Sequence, residues 1–201
     1  MNRRSVVLYN PRAVFWTMPL ALLAIGSALD RDVYDVRVVD GRLEEDSAAA
    51  VLRAMDASTV CVGMTVLTGA PIRDALAVTR TVQHAHPRMP IAWGGWHPSL
   101  FPEQCVRDAG IQAAVIGQGE RTFAALVERW ARGETADGVA GCARPGDGGV
   151  VIEAPRQVED INRFPGHDYQ LVDPPAYFAR KGRRQLDYIS SQGCRFRCEF
   201  C

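Results

Sequence analysis

The residues best suited to chemistry are three cysteines, Cys194, Cys198 and Cys201, in the run Cys194-Arg-Phe-Arg-Cys198-Glu-Phe-Cys201. That spacing places three thiols on one tight loop, and thiolate is the ligand type that selects iron–sulfur clusters. A cubane of four irons held by three protein ligands keeps one iron open for a substrate or cofactor. Gly193, just before the first cysteine, allows a sharp turn of the chain. Zinc is the competing reading, but structural zinc sites want four ligands, commonly in pairs, and no fourth Cys or His stands beside these three.

A second set of residues is suited to holding a ligand. Met64-Thr-Val-Leu-Thr-Gly69, Gly94-Gly-Trp-His-Pro-Ser99 and Gly117-Gln-Gly-Glu120 are rich in glycine and small polar side chains. Glycines at Gly69, Gly94, Gly95, Gly117 and Gly119 let a backbone approach a large planar ligand, while Thr65, Thr68, Ser99 and His97 offer polar contacts to its edge. Glu120 opens a helix, where a carboxylate offsets the helix dipole. Trp93 and Trp96 flank the double glycine and are suited to lining a planar ligand or to core packing. None of the three loops is a phosphate-binding fingerprint: G-x-G-x-x-G after the first strand is absent, which argues against a dinucleotide.

These loops need a frame. Apolar, β-branched runs at Ser5–Tyr9, Val36–Asp40, Val60–Thr65, Pro90–Trp93 and Ala113–Ile116 read as strands. They alternate with helix-length runs at Pro19–Leu29, Ser47–Met55, Pro71–His84, Pro102–Asp108 and Glu120–Ala131. Such alternation predicts an α/β domain with a doubly wound, five-stranded parallel sheet. Ligands of this architecture sit at the carboxyl ends of the strands, which is where all three glycine-rich loops fall. Beyond Gly133 a turn at Arg144–Gly149 joins short strands at Gly138–Ala143 and Val150–Glu153. A proline-spaced connector follows at Val158–Pro175, and Leu186–Ser190 reads as one more strand leading into the cysteines.

Composition narrows the partners. Lys+Arg and Asp+Glu are both 23, so the chain has no net charge with which to attract nucleic acid or an anionic membrane. Ala13–Leu29 is uncharged and follows Arg3-Arg4, as in a signal peptide, but Pro19 and Gly26 punctuate it, and a loop plus a core helix accounts for it. It also falls short of the ~20 residues of a spanning helix. A cytoplasmic protein is expected. The scattered Cys61, Cys105 and Cys142 do not make a disulfide scaffold, and Cys61 and Cys105 suit small buried apolar positions.

Cys-x-x-x-Cys-x-x-Cys after a strand and a glycine, with Phe200 before the last cysteine, resembles the radical S-adenosylmethionine superfamily. The resemblance implies that Cys194, Cys198 and Cys201 hold a 4Fe–4S cluster whose open iron chelates S-adenosylmethionine for reductive cleavage. The preceding region, through Pro19-Leu20, Gly63-Met-Thr65, Gly94-Gly-Trp-His97, Pro102-Glu103 and Gly117-Gln-Gly-Glu120, resembles the flavodoxin-like cobalamin-binding domain that precedes the radical module. That arrangement occurs in the anaerobic magnesium-protoporphyrin ester cyclase and in radical methyltransferases.

The implied parent enzyme uses cobalamin, S-adenosylmethionine and the cluster for radical methyl transfer or oxidative cyclisation at an unactivated carbon. It would take a small-molecule substrate and an electron donor. The D-x-H-x-x-G motif, whose histidine ligates cobalt in many cobalamin domains, is absent, and His97 has a different context. The lower axial position is therefore filled otherwise or open, and His97 reads as a hydrogen-bonder at the ligand edge or, alternatively, a cobalt ligand.

The expected layout is a cobalamin domain over 1–133, a hairpin and linker over 134–185, and the start of a radical barrel over 186–201, inactive as a fragment. Two rival readings are a methylthiotransferase with a second cluster on Cys61, Cys105 and Cys142, and a non-catalytic cobalamin-binding module. Substrate identity lies beyond what these residues specify.

Overall fold

Alternation along the first strand dictates the layers. In β1 (Arg4–Asn10), Val6 and Leu8 face one side and Val7 and Tyr9 the other, and all four are fully buried. Both faces of the sheet must therefore be covered. In a computed structural model, which describes residues 3–193 and 198–199, they are. One face is covered by α1 (Leu20–Ser27) and α6 (Glu120–Ala131). There Leu22, Leu23, Phe123, Leu126 and Val127 pack on Val6 and Leu8. The other face is covered by α2 (Ser47–Ala54), α3 (Ala70–Ala85) and α5 (Pro102–Ala109), whose Val51, Val78, Val82 and Val106 meet Val7, Tyr9, Val62 and Met64.

The parallel strands β2 (Tyr34–Asp40), β1, β3 (Thr59–Thr65), β4 (Ile91–Gly94) and β5 (Ala113–Val115) lie in that order. This is the doubly wound topology expected, with the order reversing between β1 and β3. The sheet is larger than predicted, however. The hairpin β6 (Cys142–Gly146) and β7 (Gly149–Ile152) does not stand apart but adds antiparallel to β5, making seven strands. Val115 pairs with Cys142 and Ala114 with Ala143, and those two hairpin residues are fully buried.

Two further differences concern the connector. It contains short 3-10 turns at Ile161–Arg163 and Tyr169–Leu171, then a helix, α7 (Pro174–Lys181), started by its prolines and closed by Gly182 in the left-handed region. The strand expected at Leu186–Ser190 does not form: residues 183–193 carry no strand, and Leu186, Tyr188 and Ile189 are exposed. A strand needs a neighbour to receive its backbone hydrogen bonds, and this segment joins neither edge of the sheet, β2 or β7. Ala13–Leu29 folds as a loop and α1, with Leu22 and Leu23 in the core. Among the described residues no helix is long and apolar enough to cross a membrane.

Candidate functional site

The carboxyl ends of β3, β4 and β5 carry the three glycine-rich loops, and their backbones are knitted together. Val66 extends β3 by donating its N–H to the Gly94 carbonyl (2.8 Å), and its own carbonyl accepts from the N–H of His97 (3.0 Å). Ser99, in the short helix α4 (Trp96–Leu100), donates its hydroxyl to the Gly95 carbonyl (2.7 Å) and accepts from Gly117 N–H (2.9 Å). Ser99 thus joins the β4 and β5 loops. Thr68 Oγ1 lies 3.4 Å from His97 Nδ1, joining β3 to β4. Gly119 caps α6, and its carbonyl accepts from Phe123 N–H.

The glycines have two different jobs. Gly95 has φ +95°, and a Cβ there would meet Thr65 Oγ1 at 3.0 Å and the Val66 backbone at 3.2 Å, so it permits the close approach of two loops. Gly69 and Gly117, at φ +108° and +72°, have nothing within 4 Å of where a Cβ would stand. They leave bare backbone at the open edge. Thr68, Gly69 and Gly117 are exposed, Thr65, Gly94, Ser99 and Gly119 partly so, and His97 and Glu120 are buried.

His97 is 8% exposed and its ring stacks at a tilt on Phe101, 5.3 Å between centroids. Burial lowers its pKa from the ordinary value, so it is held neutral. Its Nε2 has no hydrogen-bond partner among the described residues. Trp93 is a core residue whose indole N–H bonds Thr79, whereas Trp96 is 69% exposed. Trp96, Leu100 and Phe101 after β4, with Val14 and Phe15 after β1, form an exposed apolar rim around the glycine-lined edge. A hollow of about 910 Å³ opens at the opposite, amino edge among Arg4, Met89, Trp130 and Arg144. Helix N-termini and bare glycine backbone converge at the carboxyl edge instead, and that is where ligands of doubly wound sheets sit.

A model of the B12 binding domain family matches residues 12–127, from the loop after β1 to the middle of α6. The chain belongs to that family. An uncharacterised methyltransferase of Pyrococcus horikoshii is 30% identical over 195 residues, covering 94% of this chain and 42% of the relative. The cytidylyl-2-hydroxyethylphosphonate methyltransferase of Streptomyces wedmorensis is 24% identical, covering 98% of this chain and 47% of its own length. The chain thus spans less than half the length of either relative. Among solved structures, the radical S-adenosylmethionine methyltransferase TsrM of Kitasatospora setae, with cobalamin and a [4Fe–4S] cluster bound, superposes with a TM-score of 0.68. It is 25% identical over 79% of this chain and 30% of that one. The cobalamin-dependent radical enzyme OxsB shares the fold at 18% identity and a TM-score of 0.66.

For a B12-binding domain, the fit of the crevice rests on its own geometry. A wide planar ligand needs bare backbone beneath it, polar groups at its rim and apolar cover, and Gly69, Gly117, Thr68, His97 and Trp96 bring these to one edge. Of the cysteines, Cys198 is exposed, while Cys194 and Cys201 lie outside the described residues. Cys61 and Cys142 are buried against α1 and α6 and Cys105 on the opposite face of the sheet, so these three do not converge. Burial pushes the thiols of Cys105 and Cys142 up to about 11 and that of Cys61 higher still, so none is a thiolate at neutral pH.

Residues bordering the β1/β2 end of the same edge were not foreseen. Asp40 and Arg42 form a buried ion pair joined by Tyr177 of α7, and Arg12 donates to the carbonyls of Gly41 (3.0 Å) and Glu44 (2.7 Å). The available signal was the charge itself: Asp40 closes an apolar strand and Arg42 follows it by two residues, where ions persist only when paired.

Proposed function

We propose that this chain binds cobalamin across the carboxyl ends of β3, β4 and β5 and carries, on Cys194, Cys198 and Cys201, the 4Fe–4S site of a radical S-adenosylmethionine methyltransferase. The observation that carries the cobalamin site is the pair of open glycines, Gly69 and Gly117, flanking a buried neutral histidine within the region that matches the B12 binding domain. Bound cobalamin supplies a methyl carrier, and bound S-adenosylmethionine with the cluster supplies the means of activating an inert carbon. The chain's own residues bind and orient. Gly69 and Gly117 present backbone, Thr68 fixes the His97 ring through Nδ1, and Nε2 is left to meet a polar group at the ligand edge. Trp96, Leu100 and Phe101 keep water from one side of the crevice. Methyl transfer is favoured over cyclisation because the full-length relatives are named as methyltransferases.

Anaerobic titration of the chain with hydroxocobalamin, followed by visible spectroscopy, tests the first half. Saturable binding with a band shift is expected, weakened in His97→Ala. A folded sample that does not bind would overturn it. For the second half, anaerobic reconstitution should give a 4Fe–4S absorption band that Cys198→Ala abolishes and Cys105→Ala leaves intact.

A further inference from the structure

The β1/β2 end of the carboxyl edge is built differently from the glycine-lined end, and its parts come from three places in the sequence. The Arg42 side chain is 1% exposed and that of Asp40 3%. Isolating such an ion pair from water is costly unless its donors are used. Here four of the five guanidinium N–H groups are used, and the partners are informative. Arg42 donates through Nε (2.9 Å) and Nη2 (2.6 Å) to the Asp40 carboxylate. It also donates to the carbonyls of Phe15 (2.5 Å) and Thr17 (2.7 Å), both in the loop after β1. Tyr177 of α7 donates its hydroxyl to the same carboxylate (2.5 Å). The rings of Phe15, Trp16 and Tyr177 surround the guanidinium at 5.8–5.9 Å, and Arg180 also lies over the Trp16 ring at 5.2 Å.

A second point of attachment lies downstream. Asp187 accepts from the backbone N–H of Met18 (2.7 Å) and is held in place by Lys181, while its own carbonyl accepts from the Tyr169 hydroxyl. The loop after β1 is thus gripped at Phe15 and Thr17 by Arg42, whose partner carboxylate is held by Tyr177 of α7, and at Met18 by Asp187. This loop sits at the switch point between β1 and β3, and it carries the exposed Val14 and Phe15 of the apolar rim. Asp187 is seven positions ahead of Cys194 in the sequence.

We infer that Asp40, Arg42, Tyr177 and Asp187 are positioning residues that couple cofactor binding to docking of the connector: the connector sets the β1 loop, and the β1 loop borders the crevice. This rests on the cobalamin reading above. Because coupling is reciprocal, a ligand that favours the set loop must also favour the docked connector.

The full 201-residue chain tests this with hydroxocobalamin as probe. Tyr177→Phe removes one hydroxyl and keeps the ring. It is expected to weaken binding by about tenfold, the scale of one hydrogen bond to a charged group, in samples shown to be folded by circular dichroism. Asp187→Ala should weaken it similarly, and Arg80→Ala, on the exposed face of α3, should not. Reciprocally, saturating hydroxocobalamin should slow trypsin cleavage in the basic run Arg180-Lys-Gly-Arg-Arg184 of the natural chain and not of Tyr177→Phe. A merely structural role would lower stability without changing the affinity of folded protein or the ligand-dependent protection. Binding by the natural chain with unchanged affinity in both variants overturns the coupling and leaves the cobalamin reading intact. No binding by the natural chain removes both.

Discussion

The two ends of one sheet edge solve different problems with different chemistry. At the β1/β2 end, buried charges and aromatic rings fill the space: Arg42 spends its donors on Asp40 and two carbonyls, and Tyr9, hydrogen-bonded to Asp74, has its hydroxyl held protonated by burial. At the β3–β5 end there is little but backbone, with Gly69 and Gly117 open and His97 and Ser99 spanning the gaps between loops. One end is a fixed wall and the other an open floor. A crevice needs both, since a ligand gains affinity from surfaces that are already in place before it arrives.

The largest effect should come from the wall. Arg42→Ala leaves the Asp40 carboxylate buried without its counter-charge, and breaking such a pair costs about 3–5 kcal/mol. Urea denaturation should show that loss, whereas Arg53→Ala, which removes an exposed pair with Glu44, should change stability by less than about 1 kcal/mol. Equal effects would mean that the burial of Arg42 carries no energetic weight. Tyr9→Phe, at the same end, tests whether the hydrogen bond to Asp74 belongs to the wall, with an expected loss of about 1–2 kcal/mol.

The floor should respond in binding as well as in stability. Gly117→Leu places a side chain where nothing now stands within 4 Å, at a φ of +72°. The backbone strain costs about 1–2 kcal/mol. Hydroxocobalamin affinity should fall by at least about tenfold, corresponding to about 1.4 kcal/mol. Gly63→Ala provides the contrast on the sheet itself: a Cβ there would stand 2.7 Å from the Phe123 ring of α6, so stability should drop while the crevice stays clear. If Gly117→Leu binds normally, the ligand does not lie over the β5 loop.

How much of this was readable beforehand follows the same division. The floor was legible because glycines after apolar strands announce themselves in sequence, and the two-sided burial of SVVLY required a doubly wound sheet. The wall was not, because its meaning depends on a contact between Asp40 and Tyr177, which no local pattern encodes. The hairpin was seen but not its pairing: Cys142 and Ala143 read as the end of a short strand, and no local pattern says that this strand adds to β5. Leu186–Ser190 had a strand's composition and pairs with no strand, a reminder that β propensity describes a surface to be paired.

The smallest predicted effect concerns His97, and it distinguishes a buried floor residue from an exposed one. Burial lowers its folded-state pKa below that of the unfolded chain. As pH falls through the unfolded-state value, near 6.5, the unfolded chain takes up a proton that the folded one resists. Stability therefore falls with it, levelling off below the folded-state pKa. Above that window the two states are equally deprotonated and nothing is lost. His167 is shifted the same way by burial, against an opposing pull from Glu120, so the natural chain sums two contributions of one sign. Replacing His97 by Gln should remove one of them, flattening the decline in urea midpoint between about pH 7 and pH 5. Hydroxocobalamin should protect the natural chain least at the acidic end of that window if Nε2 meets the ligand in its neutral form, because protonation of the ring then competes with binding. An unaltered slope in His97→Gln would place the acid sensitivity elsewhere and make the ring a packing element alone.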